Sequence, residues 1–298
     1  KDNISNLVDH IKIEMEKNPK YNYEHIIIDN NSNDGTQKIL KNIAESNKKL
    51  KLILNTKNFG HIRSPFYGML QSKGDAVIMM SSDFQDPINL ISKYIRVWET
   101  GKKIVLGQKL TSDEFFLKNW LRKLFYYSLK KIAKTNLSTN TTGAGIYDKS
   151  VINIFKKLNE PYPYIRGLIS EFYEEIEYVD FHQPLRKYGV TKNNFYTLYD
   201  IGILGVIKHS AFPLRIIVFI GFISSLSSLL TGFAYLLYKL FYWSSFEVGV
   251  GPIIIGMFIL FSITIFLLGI IGEYILVILN YTQNLPLVIE KERINFDD

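Results

Sequence analysis

Apolar residues fall into two regimes along the chain. Up to about Ala211 they alternate with Lys, Asn and Asp, and beyond it they run almost unbroken. In the first regime Leu7, Val8, Ile11 and Met15 recur at helical spacing and Pro19 follows where the pattern stops, so a helix is expected from Ile4 to Met15. The β-rich run Tyr23-Glu24-His25-Ile26-Ile27-Ile28 ends in Asp29-Asn30-Asn31-Ser32-Asn33-Asp34-Gly35, a cluster of turn formers, which predicts a strand running into a polar loop. The alternation then repeats, with helices expected over 36–46, 62–71 and 87–99 and strands over 50–54, 76–80 and 104–106. This order predicts βαβ units and a mostly parallel sheet covered by helices. Ligands of such sheets sit beyond the carboxyl ends of the strands, where Asp29 and Asp83 fall. A fold of this kind opens on a strand, whereas this chain opens on a helix after Lys1; one strand and its loop, about 10–20 residues, are expected upstream.

The second regime holds two runs without a charged residue, Ile216–Tyr238 and Val248–Gly272, each longer than the ~20 residues a helix needs to cross a bilayer. Two membrane helices are expected, over about 214–238 and 250–274. Lys208 and Arg215 precede the first, Lys291 and Arg293 follow the second, and between them Phe241–Val250 carries Glu247 but no Lys or Arg. By the positive-inside rule both ends face the cytoplasm. The domain reading is therefore an α/β domain over 1–190 with its first strand missing, a juxtamembrane amphipathic region over 191–212, a transmembrane hairpin over 213–280 and a cytoplasmic tail over 281–298. Tyr242 and Trp243 suit the outer interface, and Glu273 the inner end of its helix.

Composition narrows the partners. A net charge of +7 suits nucleic acid, an anionic membrane surface or a phosphate-rich substrate. The apolar runs favour the last two, and no nucleic-acid recognition motif accompanies the basic residues. Residues 115–134 interleave Trp120, Leu121, Leu124, Phe125 and Leu129 with Lys118, Arg122, Lys123, Lys130, Lys131 and Lys134, a pattern open to a membrane-surface helix or an ordinary domain helix with a solvated face. The absence of cysteine excludes disulfides and thiolate metal sites.

Sugar transfer from a nucleotide diphosphate requires positive charge on the pyrophosphate leaving group, a cradle for base and ribose, and a positioned acceptor oxygen. Carboxylates at strand ends suit the first two roles, and here they stand in Asp29-Asn30-Asn31-Ser32-Asn33-Asp34-Gly35-Thr36 and Ser81-Ser82-Asp83-Phe84-Gln85-Asp86-Pro87. At these residues the sequence resembles glycosyltransferase family 2, inverting enzymes of the GT-A fold, and more closely its polyprenyl-phosphate glycosyltransferases related to dolichol-phosphate mannose synthase. The first segment is similar to the family's Asp-Asp-Gly-Ser-x-Asp-Gly-Thr loop and the second to its Asp-x-Asp-x-Gln-Asp-Pro. Asn58-Phe59-Gly60-His61, Arg166-Gly167, Gly272-Glu273-Tyr274-Ile275 and Leu285-Pro286-Leu287 match further segments, so the resemblance covers essentially the whole chain.

The resemblance implies an α/β GT-A domain followed by a two-helix hairpin in the inner (plasma) membrane. It implies a nucleotide sugar, with UDP favoured, as donor, a polyprenyl phosphate as acceptor, and association through the membrane helices. Asp29, Asn30, Asp34, Asn58 and Gly60 are then the nucleotide-binding candidates, and Asp83 and Gln85 the ligands of Mg2+ or Mn2+, a hard cation that oxygen donors favour on chemical grounds too. Arg186 and Lys192 resemble the family's Arg-x-x-Gly-x-(Ser/Thr)-Lys and would grip the donor pyrophosphate or the lipid phosphate. With Asp83 they complete the catalytic set.

Three departures bear on activity. Ser81 replaces the first aspartate of the metal motif, Asn30 replaces the second aspartate of the first loop, and Thr142-Gly143-Ala144-Gly145 carries no acid where many relatives place one. The family's Pro-x-Tyr-Asn-Glu strand end is also absent. A lipid phosphate is already ionised at neutral pH, so it attacks without a dedicated base. The rival is a non-catalytic sugar-nucleotide or lipid-phosphate binding protein of the same fold. A processive synthase is disfavoured, since neither extra spans nor a Gln-x-x-Arg-Trp-like motif is present.

Overall fold

A computed structural model of the chain describes residues 3–112, 140–158, 160–184, 212–242 and 250–296. Its elements run α1 (Ile4–Glu16), β1 (His25–Asp29), α2 (Thr36–Ser46), β2 (Leu50–Asn55), α3 (Gly60–Leu70), β3 (Ala76–Met79), α4 (Leu90–Trp98), β4 (Ile104–Ser112), β5 (Thr141–Asp148), α5 (Lys149–Lys157), α6 (Ile165–Phe172), β6 (Glu177–Gln183), α7 (Phe212–Phe241), α8 (Val250–Thr282) and β7 (Glu290–Ile294). Every helix and strand expected before residue 107 is present, with ends moved by a few residues. The basic stretch 115–134 lies outside the described residues, as do most of the juxtamembrane residues.

The strands form two sheets, β1-β2-β7 and β3-β5-β4-β6. β1 pairs parallel with β2 and β4 with β6, whereas β2/β7, β3/β5 and β4/β5 are antiparallel. The expectation of a mostly parallel sheet is therefore corrected to a mixed α/β arrangement. The physical reason is local: every antiparallel pair involves β5 or β7, which lie outside the regular strand–helix alternation on which the parallel reading rested. Among the described residues, β1 and β3 each pair along one edge.

Side-chain alternation puts helices on both faces of the strands. Ile104 and Leu106 of β4 join Tyr147 of β5 under Phe66, Met69, Val151, Phe155 and Leu168, which come from α3, α5 and α6. Val105 and Ile146 point the other way, to Leu90, Ile91, Tyr94 and Ile95 of α4. In the first sheet Leu50, Leu52 and Leu54 of β2 meet Ile4, Leu7 and Val8 of α1 and Leu40 and Ala44 of α2, the same helical stripe visible in the sequence. β5 sits between β3 and β4, where Gly145 faces Met79 and Leu106. A Cβ at Gly145 would run into the Val105 carbonyl oxygen and stand 2.9 Å from Leu106 Cα, so the close strand approach needs glycine.

His25 opens β1, and burial there pushes its imidazole down to about 4. The native state therefore holds it neutral, while the unfolded chain takes up a proton below pH ~6.5. Its stability contribution is complete above that pH and is lost as the pH falls toward 4, by about 2–3 kcal/mol. His25→Gln is expected to flatten the thermal stability of the purified protein between pH 6.5 and 4.5, measured as melting temperature against pH.

Contacts divide the chain into two compact units, one containing both sheets and residues 283–298, the other containing α7 and α8. In the second unit α7 and α8 touch. Among the described residues one stretch, Ile263–Thr282, is long and apolar enough by itself to cross a membrane, and none of it is buried against protein. Ile265, Phe266, Leu268, Ile275, Ile278 and Leu279 are all exposed around it. The residues expected as a tail instead return as β7, whose Leu52↔Ile294 and Leu54↔Glu292 pairings close the edge of β2.

Candidate active site

The first loop is built where β1 gives way to polar residues. Asp29, the last residue of β1, is buried, and its Oδ1 accepts from the Ser32 backbone N–H (2.9 Å) and from Gln37 Nε2 of α2 (2.8 Å). Asp34 Oδ1 accepts from the Thr36 backbone N–H (3.1 Å) and hydroxyl (2.6 Å) at the start of α2, and these bonds hold its carboxyl well below the usual carboxylate range. An ionised carboxylate just ahead of the helix also suits its dipole.

Asn30 faces inward and joins three elements. Its Oδ1 accepts from the Ser64 hydroxyl, from Asn55 Nδ2 (2.9 Å) and from the Phe59 N–H (3.4 Å), and its Nδ2 donates to the Gly60 carbonyl (3.2 Å). The last bond explains why an amide replaces the family's aspartate here: a carboxylate would turn a lone pair toward Gly60 O. Asn30→Asp is expected to cost about 1–3 kcal/mol, read as a drop in melting temperature, because it sets acceptor against acceptor in a half-buried network. Asn58 Oδ1 accepts from the Gly60 N–H (2.8 Å), fixing the turn into α3. Asn30, Asn58 and Gly60 are thus brought together, with Asn55 and Ser64, fully buried, as supports that composition and motif spacing did not reveal.

The second loop leaves β3. Asp83 is half-buried and its Oδ1 accepts from the Gln85 N–H (3.1 Å). Asp86 is buried and takes both the N–H (3.0 Å) and the hydroxyl (2.6 Å) of Ser81 on Oδ2. Ser81 therefore donates to the neighbouring carboxylate, which an aspartate at 81 would instead repel. Phe84 adopts a left-handed backbone (φ 59°), stacks edge-on against His10 at 5.8 Å and packs with Ile88 on the Leu40–Leu52–Leu54 cluster. That anchor draws the Asp83 loop onto the helices of the first sheet, the sheet that carries Asp29.

Among the described residues no group of three or more His, Cys, Asp or Glu side chains is arranged to hold a metal. The half-buried Asp83 carboxylate with the neighbouring Gln85 amide is a hard oxygen set that fits a divalent cation completing its shell from phosphates and water. Gly143 sits at φ 90° with Arg166 Cγ 3.6 Å and Met79 Cε 3.8 Å from where its Cβ would stand. An acid at 143 would need that left-handed conformation, so this backbone is not shaped for one. Arg166 stands beside it instead, its guanidinium 5.9 Å from the Tyr164 ring centre. Arg186 and Lys192 lie outside the described residues.

With this geometry in view, the model of the family described as "Glycosyl transferase family 2" matches residues 1–155. The chain belongs to glycosyl transferase family 2. It is a glycosyltransferase, and the matched region contains both loops and the whole β1–β5 framework. A bactoprenol glucosyl transferase of Shigella phage SfX is similar, at 27% identity over 94% of this chain and 92% of its own length. An uncharacterised glycosyltransferase of Synechocystis sp. is 28% identical over 86% of this chain and 80% of its own. A second uncharacterised family member, from Bacillus subtilis, is 28% identical over 91% and 84%. The similarity to these relatives extends past the family-model match into the apolar half of the chain.

Proposed function

We propose that this glycosyltransferase moves a sugar, with inversion, from a nucleotide-sugar donor, UDP being the favoured nucleotide, to a polyprenyl phosphate at the cytoplasmic face of the plasma membrane. The observation that carries the reading is the pairing, in one chain, of strand-end carboxylate loops with an apolar helix that no protein covers. A helix apolar on all sides and left exposed calls for lipid as its solvent. The bactoprenol glucosyl transferase name of a relative aligned over nearly the whole chain supports the same acceptor class. The two long helices, α7 and α8, are read as a membrane hairpin with Lys208, Arg215, Lys291 and Arg293 on the cytoplasmic side.

Asp29 would receive the base or ribose at the end of β1, with Asn30, Asn58 and Gly60 shaping the adjoining loop and Asp34 fixing the start of α2. Asp83 and Gln85 would hold Mg2+ or Mn2+, which supplies positive charge to the departing nucleoside diphosphate. The acceptor phosphate oxygen attacks the anomeric carbon as the bond to the pyrophosphate oxygen breaks. The nucleophile is already an anion, so positioning and charge neutralisation carry the rate and no base is required. Arg186 and Lys192 are assigned to the phosphates, and Arg166 adds a cation beside Gly143.

Membranes containing the chain, given undecaprenyl phosphate and a panel of radiolabelled UDP-sugars, are expected to yield one chloroform-soluble glycolipid that depends on both substrates and is lost with EDTA. Nucleotide-sugar binding without product from any donor would overturn the reading.

A further inference from the structure

We propose that the C-terminal segment Pro286–Asn295, which leads into and contains strand β7, is a positioning element of the donor site, its residues Pro286 and Ile289 holding the 56–63 segment from both sides. The proposal rests on the reading of Asn58 and Gly60 as donor-loop residues. Just before that loop, Thr56 directs its backbone N–H (3.0 Å) and its hydroxyl (3.1 Å) to a single acceptor, the Ile289 carbonyl. Just after it, Arg63 Nη2 donates to the Pro286 carbonyl at 2.7 Å while its guanidinium lies 5.4 Å from the Tyr162 ring centre. The two grips come from one short stretch, and between them lie only Lys57-Asn58-Phe59-Gly60-His61-Ile62.

The stretch is itself firmly seated on the sheet. Val288 is buried, Lys41 pairs with Glu292 at 2.5 Å, and Arg293 bonds Glu290 (2.6 Å), Gln71 (3.0 Å) and Tyr67 (3.3 Å). Beyond β7, Asn295 in a left-handed conformation (φ 60°) donates its amide to the carbonyls of Ala44 (2.7 Å) and Leu50 (2.9 Å), at the far end of β2. Tension on the donor loop is thus set by residues that belong, in chain order, to the segment after α8. Asn30 holds the same loop from below through Gly60 O and Phe59 N. With that inner hold intact, loosening β7 frees the loop without opening the core.

The test uses the protein in nanodiscs with three variants. Asn295→Ala loosens the far end of the strand without touching the loop, and Thr56→Val removes the hydroxyl bond of one grip, leaving its backbone bond, while Thr56→Ser keeps both. Hydrogen exchange of the 57–62 amides is expected to rise about tenfold in Asn295→Ala and in Thr56→Val, with exchange in β4 and β5 unchanged and Thr56→Ser like wild type. With UDP-glucose as donor probe, the donor KM is expected to rise about tenfold while the undecaprenyl phosphate KM stays within about twofold. Unchanged exchange at 57–62, or an equal rise across all strands, overturns the proposal. If wild-type protein turns over no UDP-sugar of the panel, the donor assignment fails, and the exchange measurement still decides whether the segment holds the loop.

Discussion

Asp83→Ala and Asp83→Asn are each expected to lower product formation by at least about 100-fold, with melting temperature held within a few degrees of wild type. The size follows from the task given to the residue: a preorganised charge on a developing pyrophosphate anion contributes several kcal/mol to the transition state, and each 1.36 kcal/mol is tenfold in rate. The two variants separate charge from shape. Asparagine can keep the Oδ1 acceptor that the Gln85 N–H uses, so the loop keeps its turn and loses only the carboxylate. Equal loss in both variants assigns the effect to cation binding, and raising Mn2+ should leave both inactive. Near-normal turnover by Asp83→Asn with labelled UDP-sugar would refute the metal role. Asp86 makes the contrasting control, because its buried carboxylate is committed to Ser81 and its loss is expected to act through stability first.

The second large effect is structural. Gly145→Ala is expected to destabilise the domain by at least about 3 kcal/mol, leaving protein that aggregates or is degraded in place of folded protein. Added methyl groups in cores are tolerated when a flexible side chain can give way. Here the obstacle is the backbone of β4, the Val105 carbonyl and Leu106 Cα, itself fixed by pairing to β5 and β6. The clash cannot be relieved without pulling two central strands apart. Protease resistance and melting temperature in detergent check it; a variant that melts within a few degrees of wild type would show that the strands can separate at low cost.

Much of the framework was legible in the sequence because it is written in short-range pattern. The 3.6-residue stripe of α1, the apolar run of β1 and the turn cluster after Asp29 each lie within a dozen neighbouring residues, and each reappears with small shifts in its ends. The pairing of β5 with β3 and β4, and of β7 with β2, was not legible. Strand neighbours far apart in the chain are chosen by packing, and nothing local in Glu290–Ile294 distinguishes a solvated tail from a sheet edge. The site divides the same way. Asp29 and Asp83 were visible as carboxylates at strand ends, but the inward turn of Asn30 depends on Asn55, Ser64 and Gly60, which only the fold brings within hydrogen-bond reach. The departure at Ser81 reads as a lost ligand in the sequence, and as a donor matched to Asp86 in three dimensions.

The return of β7 to β2 also orders events during synthesis. Residues 52–54 find their partners at 292–294, so the first sheet gains its third strand only after both long apolar helices have left the ribosome. Until then the edge of β2 stands open and the donor loop lacks two of its anchors. The last step of domain folding thus waits for both helices, and a ribosome stalled just after α8 would leave a chain whose two long helices are complete while residues 56–63 still lack their C-terminal partners.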